Sequence, residues 1–467
     1  MKIKLSNSQN YPTLIVFVHQ GENTAVQDFL GKSGETTVRY DKSSTIIYCG
    51  LGEKTSFTAS DLRIASAKGS QRAIELKRDK ISLLIPKISN GIEISKAVIE
   101  GVILGSYKFS TYKSEKPFQI SQIELIDSEL NASSVKTITS VCESVLYARN
   151  LVNENASLIT PEYLANETRS LSSIEGFKVH ILDEKDLRKQ NLNLISLVGQ
   201  ASTTPPRLAV IEYNGNSRSK EKTAIVGKGV TFDSGGQNHK PTGSIETMRT
   251  DMAGAAAVLG VMKSLAVLRP KINVLGVIPA AHNAIGGNAY FPGDIYSSYS
   301  GKTVEIWSTD AEGRLILADA ISYCQDKFKP TCIIDLATLT GGVLYALGDF
   351  VAALFSNDDK LANDLFIAGE RTGERMWRLP LYKEYCESVK GEMGDLRNVS
   401  KLKKGYASSI TGAAFIKEFV NNNTPWAHLD IAGTAYNEGQ SHGEVPMYAT
   451  GFGVRLLLDY LLAEHKK

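Results

Sequence analysis

Between residues 178 and 336, short apolar runs alternate with longer stretches of helical periodicity, and this alternation constrains the fold more than any other feature of the chain. The runs at 178–182, 208–213, 224–226, 272–278 and 331–336 have strand length, while 244–268 and 312–325 carry apolar residues at helical spacing. Parallel strands need long crossovers, usually helical, so the pattern implies a mostly parallel sheet covered by helices on both faces. A further strand is expected at 426–431 and a terminal helix at 454–462. Ligands of such sheets gather outside the carboxyl ends of the strands, and Lys228, Asp310 and Thr338 all lie at strand ends or in the loops leaving them.

A second, smaller alternation precedes this one. Apolar runs at 14–18, 45–48, 81–85 and 120–126 are separated by helical patterns at 60–76 and 94–104. Val135, Ile138, Val141, Val145 and Leu146 then mark a long helix free of Gly and Pro. A chain of 467 residues exceeds one ordinary core. The expected architecture is α/β: a small N-terminal α/β domain over 1–130, a connecting helix over 131–155, and a larger α/β domain with a mostly parallel central sheet over 156–467.

Composition removes several classes of function. A net charge of +2 gives no electrostatic case for nucleic acid or an acidic membrane surface. Five cysteines without a CxxC pair fit reduced thiols in a reducing compartment. The apolar run at 14–18 is too short for a signal-peptide core, and no uninterrupted apolar run reaches the ~18 residues of a membrane span, so a cytoplasmic location is expected.

Chemistry concentrates in two remote segments, KGVTFDSGGQNHKPTGSIETMRTD at 228–251 and TDAEGRL at 309–315. Asp233, Asp251, Asp310 and Glu312 gathered in one site would repel one another and bind protons unless cations sat among them. Carboxylate oxygens suit Mg, Mn and Zn, and neither segment has His or Cys at the spacing of a structural zinc site. A carboxylate can bridge two ions, so these four side chains suffice for a two-metal clamp of the kind phosphatases, nucleases and aminopeptidases share.

Competing readings can be weighed by spacing. Thr309 and Glu312 have the spacing of a capping box ahead of a helix. Lys228, between two glycines, could be an ordinary turn lysine. Asp233-Ser234-Gly235-Gly236 is like a serine-protease nucleophile loop, but Phe232 stands where that loop has glycine. Gly301-Lys302-Thr303 lacks the upstream glycine of a phosphate-binding loop, and no HExxH is present. His428, among apolar neighbours in WAHLD, reads as a core residue, and His442 and His465 as surface residues. A two-metal phosphoesterase and a non-enzymatic binding protein remain open at this point.

The segments VGKGVTFDSGG, MRTDMAGAAAV, GNAYFPGDI, STDAEGRL, ATLTGG, WAHLDIAGTA and ATGFGVRLL resemble, in order and spacing, the leucyl aminopeptidases of the cytosol aminopeptidase family, over roughly 145–467. The resemblance implies two divalent metal ions, Mn or Zn, with Asp233 and Glu312 bridging them. Lys228 and Asp251 would complete the tighter site and Asp310 the more exchangeable one. Lys228 would then be a neutral amine, Lys240 a cation facing the developing oxyanion, and Arg314 the holder of a bicarbonate acting as general base. Met248, Thr338, Gly341 and Ala432 would line the pocket for the first side chain of a peptide with a free N-terminus. The resemblance further implies a homohexamer in which the N-terminal domain supports assembly. Three positions depart from the family pattern: Ser308 for the usual Asn, His239 for Ile, and His282 for Glu. None of these removes a proposed ligand.

Overall fold

The computed structural model describes residues 1–464 except 23, 25, 88, 89, 404 and 422; His465 lies outside them. The chain divides into two compact units, Met1–Leu146 with Asn437–Tyr448, and Tyr147–Tyr436 with Ala449–Lys467. The division falls inside the helix Ala132–Asn153.

In the first unit a six-stranded sheet runs in the order Lys2–Ser6, Gln122–Ile126, Lys80–Leu84, Thr13–Val18, Thr45–Gly50, Thr36–Tyr40. All neighbours are parallel except the last pair. Helices Ala59–Glu75 and Gly91–Gly105 pack against each other, and a buried ion pair, Arg63 to Glu100 at 2.7 Å, joins them. The two edge strands, KIKLS and TTVRY, gave no signal in the sequence. An edge strand buries little of either face, so it needs no apolar run, and polar edges discourage pairing with other chains.

The second unit is built on a nine-stranded sheet. Its centre is four parallel strands, Trp426–Asp430, Cys332–Ala337, Thr223–Gly227 and Asn273–Asn283. Antiparallel neighbours, Ala352–Ser356 on one side and Arg207–Asn214 on the other, flank this core. Gly229–Asp233 continues past Lys228 and pairs with the far end of Asn273–Asn283. The sheet is therefore mixed but parallel where it matters, and the carboxyl ends of the central strands deliver Lys228, Thr338, Ala432 and Asn283 to one edge.

Helix Ala253–Leu268 packs on three of the central strands, and Gly313–Phe328 packs on two of them. The segment Met248–Leu268 is apolar and long enough to cross a membrane, yet 78% of its apolar 18-residue window is buried inside the protein, as in a core helix. The count of uninterrupted apolar residues passes over it because Arg249, Asp251 and Lys263 break the run.

A small three-stranded sheet, Ile295–Ser297, Thr303–Glu305 and Leu396–Arg397, supports the loop before Asp310. Here Glu305 is buried, and its carboxylate accepts the backbone N–H groups of Glu392, Met393 and Gly394 (2.5, 2.5 and 2.8 Å) and Nε1 of Trp307 (3.0 Å). Burial raises its pKa, but the hydrogen bonds outweigh burial and hold it at about 2. A depressed carboxyl adds stability that is fully present above its unfolded value of ~4.3 and is lost as pH falls toward its folded value. Wild type is thus expected to melt above Glu305→Gln at pH 6, with the gap narrowing by pH 3. A gap that stays constant across that range in thermal melts would exclude this role.

Candidate metal centre

Lys228 leaves the end of strand Thr223–Gly227 and its side chain is buried, running past the start of helix Gly313–Phe328. A Cβ on Gly313 would lie 2.4 Å from Lys228 Cε and 2.6 Å from Nζ, so any larger residue here would push the Lys228 amine from its place. Lys228 Nζ donates to the carbonyl of Thr338 (2.9 Å) and contacts Asp251 Oδ2 (2.8 Å) and Glu312 Oε1 (2.9 Å). Asp251 Oδ2 touches the amine without hydrogen-bond alignment, while its Oδ1 accepts from Thr338 Oγ1 at 2.8 Å.

A second ammonium mirrors the first. Lys240 Nζ lies 2.8 Å from Asp233 Oδ2 and 2.6 Å from Asp310 Oδ1. Lys240 returns to the site because the chain reverses at Gly235 and Gly236, both at positive φ, and its amide closes on the carbonyl of Ser234 at 3.0 Å. All five proposed ligands and Lys240 therefore meet at one place.

One oxygen from each of Asp233, Asp310 and Glu312 lies within 4.8 Å of the other two. Burial pushes the carboxyls of Asp233 and Asp251 up, and neighbouring carboxylates add to the effect. Burial and Asp233 carry Asp310 up to about 6 against the pull of Lys240. Burial acts the same way on Glu312, but Lys228 and Lys240 outweigh it and bring its pKa down. Such acids, held together out of water, could supply the oxygen donors of a divalent cation pair. Burial opposes charge on Lys228, yet Asp251, Glu312 and Asp233 outweigh it and favour the ammonium. The neutral amine expected from the sequence thus requires dications to take over the countercharge and displace the proton.

Arg314, in the first turn of the same helix, is buried, and burial lowers its pKa to about 10 despite Glu312 and Asp430. Its Nη1 donates to the carbonyl of Asn398 at 2.7 Å, while Nε is a buried donor without a partner among the described residues. Thr338, Gly341 and Ala432 belong to two strand-end loops that meet on the carboxylate of Asp430. That carboxylate accepts from the amides of Leu339, Thr340 and Ala432 and from the hydroxyls of Thr340 and Ser409, at 2.7 to 3.4 Å. Met248 opens a short 3-10 turn, and its carbonyl accepts from the amide of Asp251 at 3.3 Å.

The bland readings of the two segments do not survive. Thr309 forms no capping box; its hydroxyl donates to the carbonyl of Gly235 (2.6 Å) and accepts from the amide of Asn238 (2.8 Å). Ser234 is buried and donates to the carbonyl of Asn283 at 2.7 Å. His428 is buried on Asp335, at 2.5 Å, with Trp426 Nε1 on the other carboxylate oxygen, as befits a core residue. His442 is exposed. His239 faces the carbonyl of Ser234 at 3.1 Å, and His282, its pKa lowered by burial, lies beside Phe232.

Sequence reasoning missed the residues that join the two segments. Asn283 Nδ2 donates both to Asp233 Oδ1 (2.7 Å) and to the carbonyl of Thr309 (3.0 Å), and the hydroxyl of Tyr290 donates to that carbonyl too (3.0 Å). Asn283 at a strand end and Tyr290 in a loop carry no charge and no ligand-like spacing, so only the contacts reveal them.

The chain is similar to known proteins over almost its whole length. Residues 146–458 match the catalytic domain of the cytosol aminopeptidase family, and residues 23–116 match its N-terminal domain. A "Probable cytosol aminopeptidase" of Protochlamydia amoebophila is 41% identical over 447 residues, 93% of this chain and 89% of that protein. One from Brucella melitensis is 41% identical over 92% of this chain and 90% of its own length. Among solved structures, the bottromycin maturation enzyme BotP in complex with Mn superposes with a TM-score of 0.90 at 32% identity, covering 97% of this chain and 99% of that one. A tomato leucine aminopeptidase mutant gives a TM-score of 0.89 at 30% identity over 99% and 96%. The chain belongs to the cytosol aminopeptidase family, and it is a metal-dependent hydrolase of the metalloexopeptidase class.

Proposed function

We propose that this enzyme releases leucine and other apolar residues from the N-termini of peptides in the cytoplasm, using two Mn or Zn ions and a bicarbonate. The observation that carries the proposal is the convergence of Lys228, Asp233, Asp251, Asp310 and Glu312, with Lys240 beside them. In this reading Asp233 and Glu312 would be shared by both ions, Lys228 and Asp251 would complete one position, and Asp310 would serve the other. When bound, the ions anchor the free α-amine, polarise the scissile carbonyl and acidify a water. Lys240, charged and half-buried, stabilises the negative charge that grows on the carbonyl oxygen. The partnerless Nε of Arg314 suits an oxyanion such as bicarbonate, which would take the water's proton.

Met248, Thr338, Gly341 and Ala432 form the side-chain pocket in this reading. Because one methylene in such a pocket is worth only ~1–3 kcal/mol, preference among apolar residues is broad. A homohexamer, with the small unit supporting assembly, completes the proposal. The near-neutral net charge of +2 gives no support for nucleic acid as a partner.

The test compares leucine p-nitroanilide with its N-acetylated form. Hydrolysis of the free amine only, lost on chelation and restored by Mn or Zn, is the expected result. Equal hydrolysis of both substrates, or full activity in chelator, would refute the aminopeptidase mechanism.

A further inference from the structure

The loop that presents Asp310 has almost no regular secondary structure of its own, and asparagine side chains from three remote segments satisfy its backbone. Asn238 takes the amide of Thr309 (2.8 Å) and Asn283 takes its carbonyl (3.0 Å). Asn398 does the most. Its Oδ1 accepts from the amides of Trp307 (2.7 Å) and Ser308 (3.3 Å), and its Nδ2 donates to the carbonyls of Ser308 (2.6 Å) and Ala311 (3.4 Å). Two N–H groups and two carbonyls thus converge on one point, which only a group with both donor and acceptor faces can serve.

Asn398 is itself fixed. It is fully buried, its amide donates to the carbonyl of Glu305 (3.0 Å), and the preceding strand Leu396–Arg397 pairs with Thr303–Glu305. Its own carbonyl receives Arg314 Nη1 at 2.7 Å. One residue that, among the described residues, hydrogen-bonds to no proposed metal-ligand side chain therefore holds the Asp310 loop and the Arg314 guanidinium together. We propose that Asn398 is a positioning residue that sets the affinity of the cation position served by Asp310.

The proposal rests on reading Asp310 as a metal ligand, but its test does not depend on peptidase activity. Mn titration calorimetry on the metal-stripped full chain is expected to resolve a tighter and a weaker step in wild type. In Asn398→Ala the weaker step is expected to lose about 10–100-fold in affinity, as outer-shell changes typically do, with the tighter step unchanged. Asn398→Asp keeps the shape and the acceptor but turns an oxygen toward the carbonyls of Ser308 and Ala311, so it should weaken the same step. It also carries the test if the alanine variant does not fold. Leu365→Ala, a core change on the remote helix Asp359–Thr372, is the control and should lower Tm while leaving both steps intact.

A weaker step unchanged in both Asn398 variants, or both steps weakening together, would overturn the proposal; so would wild type that binds no Mn. Selective weakening in a protein that cleaves no peptide would refute the peptidase reading and leave this inference standing.

Discussion

Glu312→Ala is expected to lower kcat/KM for leucine p-nitroanilide by roughly three orders of magnitude, or ~4 kcal/mol of transition-state stabilisation, with the fold intact. The carboxylate is buried, contacts Lys228, and shares the cluster with Asp233 and Asp310, so on the proposed reading its loss would take a donor from both cation positions. Bound Mn, measured on the desalted variant by elemental analysis, should fall with activity, while circular dichroism stays unchanged. Activity within tenfold of wild type in excess Mn would remove Glu312 from the site.

Lys240→Met separates chemistry from metal binding. Lys240 is the one ammonium of the site that is not fully buried, and it lies between two carboxylates, Asp233 and Asp310. Removing a preorganised donor to a developing oxyanion typically costs about 10²–10³ in kcat, so a loss of that size is expected with KM little changed. Mn content should be retained, because the change takes away a competing cation rather than a ligand. A large loss of Mn, or a rise in KM at constant kcat, would mean that Lys240 holds metal or substrate instead.

Much of the catalytic unit was legible because its signals are local. The strands at the centre of the large sheet are buried on both faces and read as apolar runs, and the charged residues that break the pattern stand at their ends. The resemblance to leucyl aminopeptidases rests on those same stretches. What stayed hidden depends on contacts between distant residues. The polar edge strands Lys2–Ser6 and Thr36–Tyr40 have no apolar run to betray them. Asn283, Asn398 and Asp430 are single polar residues whose roles exist only once several loops meet on them. Thr309 and Glu312 show the opposite case: their spacing fits a helix cap, but the hydroxyl is spent on the 235–238 turn and the carboxylate on the charge cluster.

Anomalous diffraction from crystals grown with Mn tests the central claim most directly. Two peaks ~3.5–4 Å apart among Lys228, Asp233, Asp251, Asp310 and Glu312, with Lys228 Nζ directed at one of them, are the result this account requires. A single peak, or Mn bound away from these side chains while Lys228 keeps its contacts with Asp251 and Glu312, would contradict it.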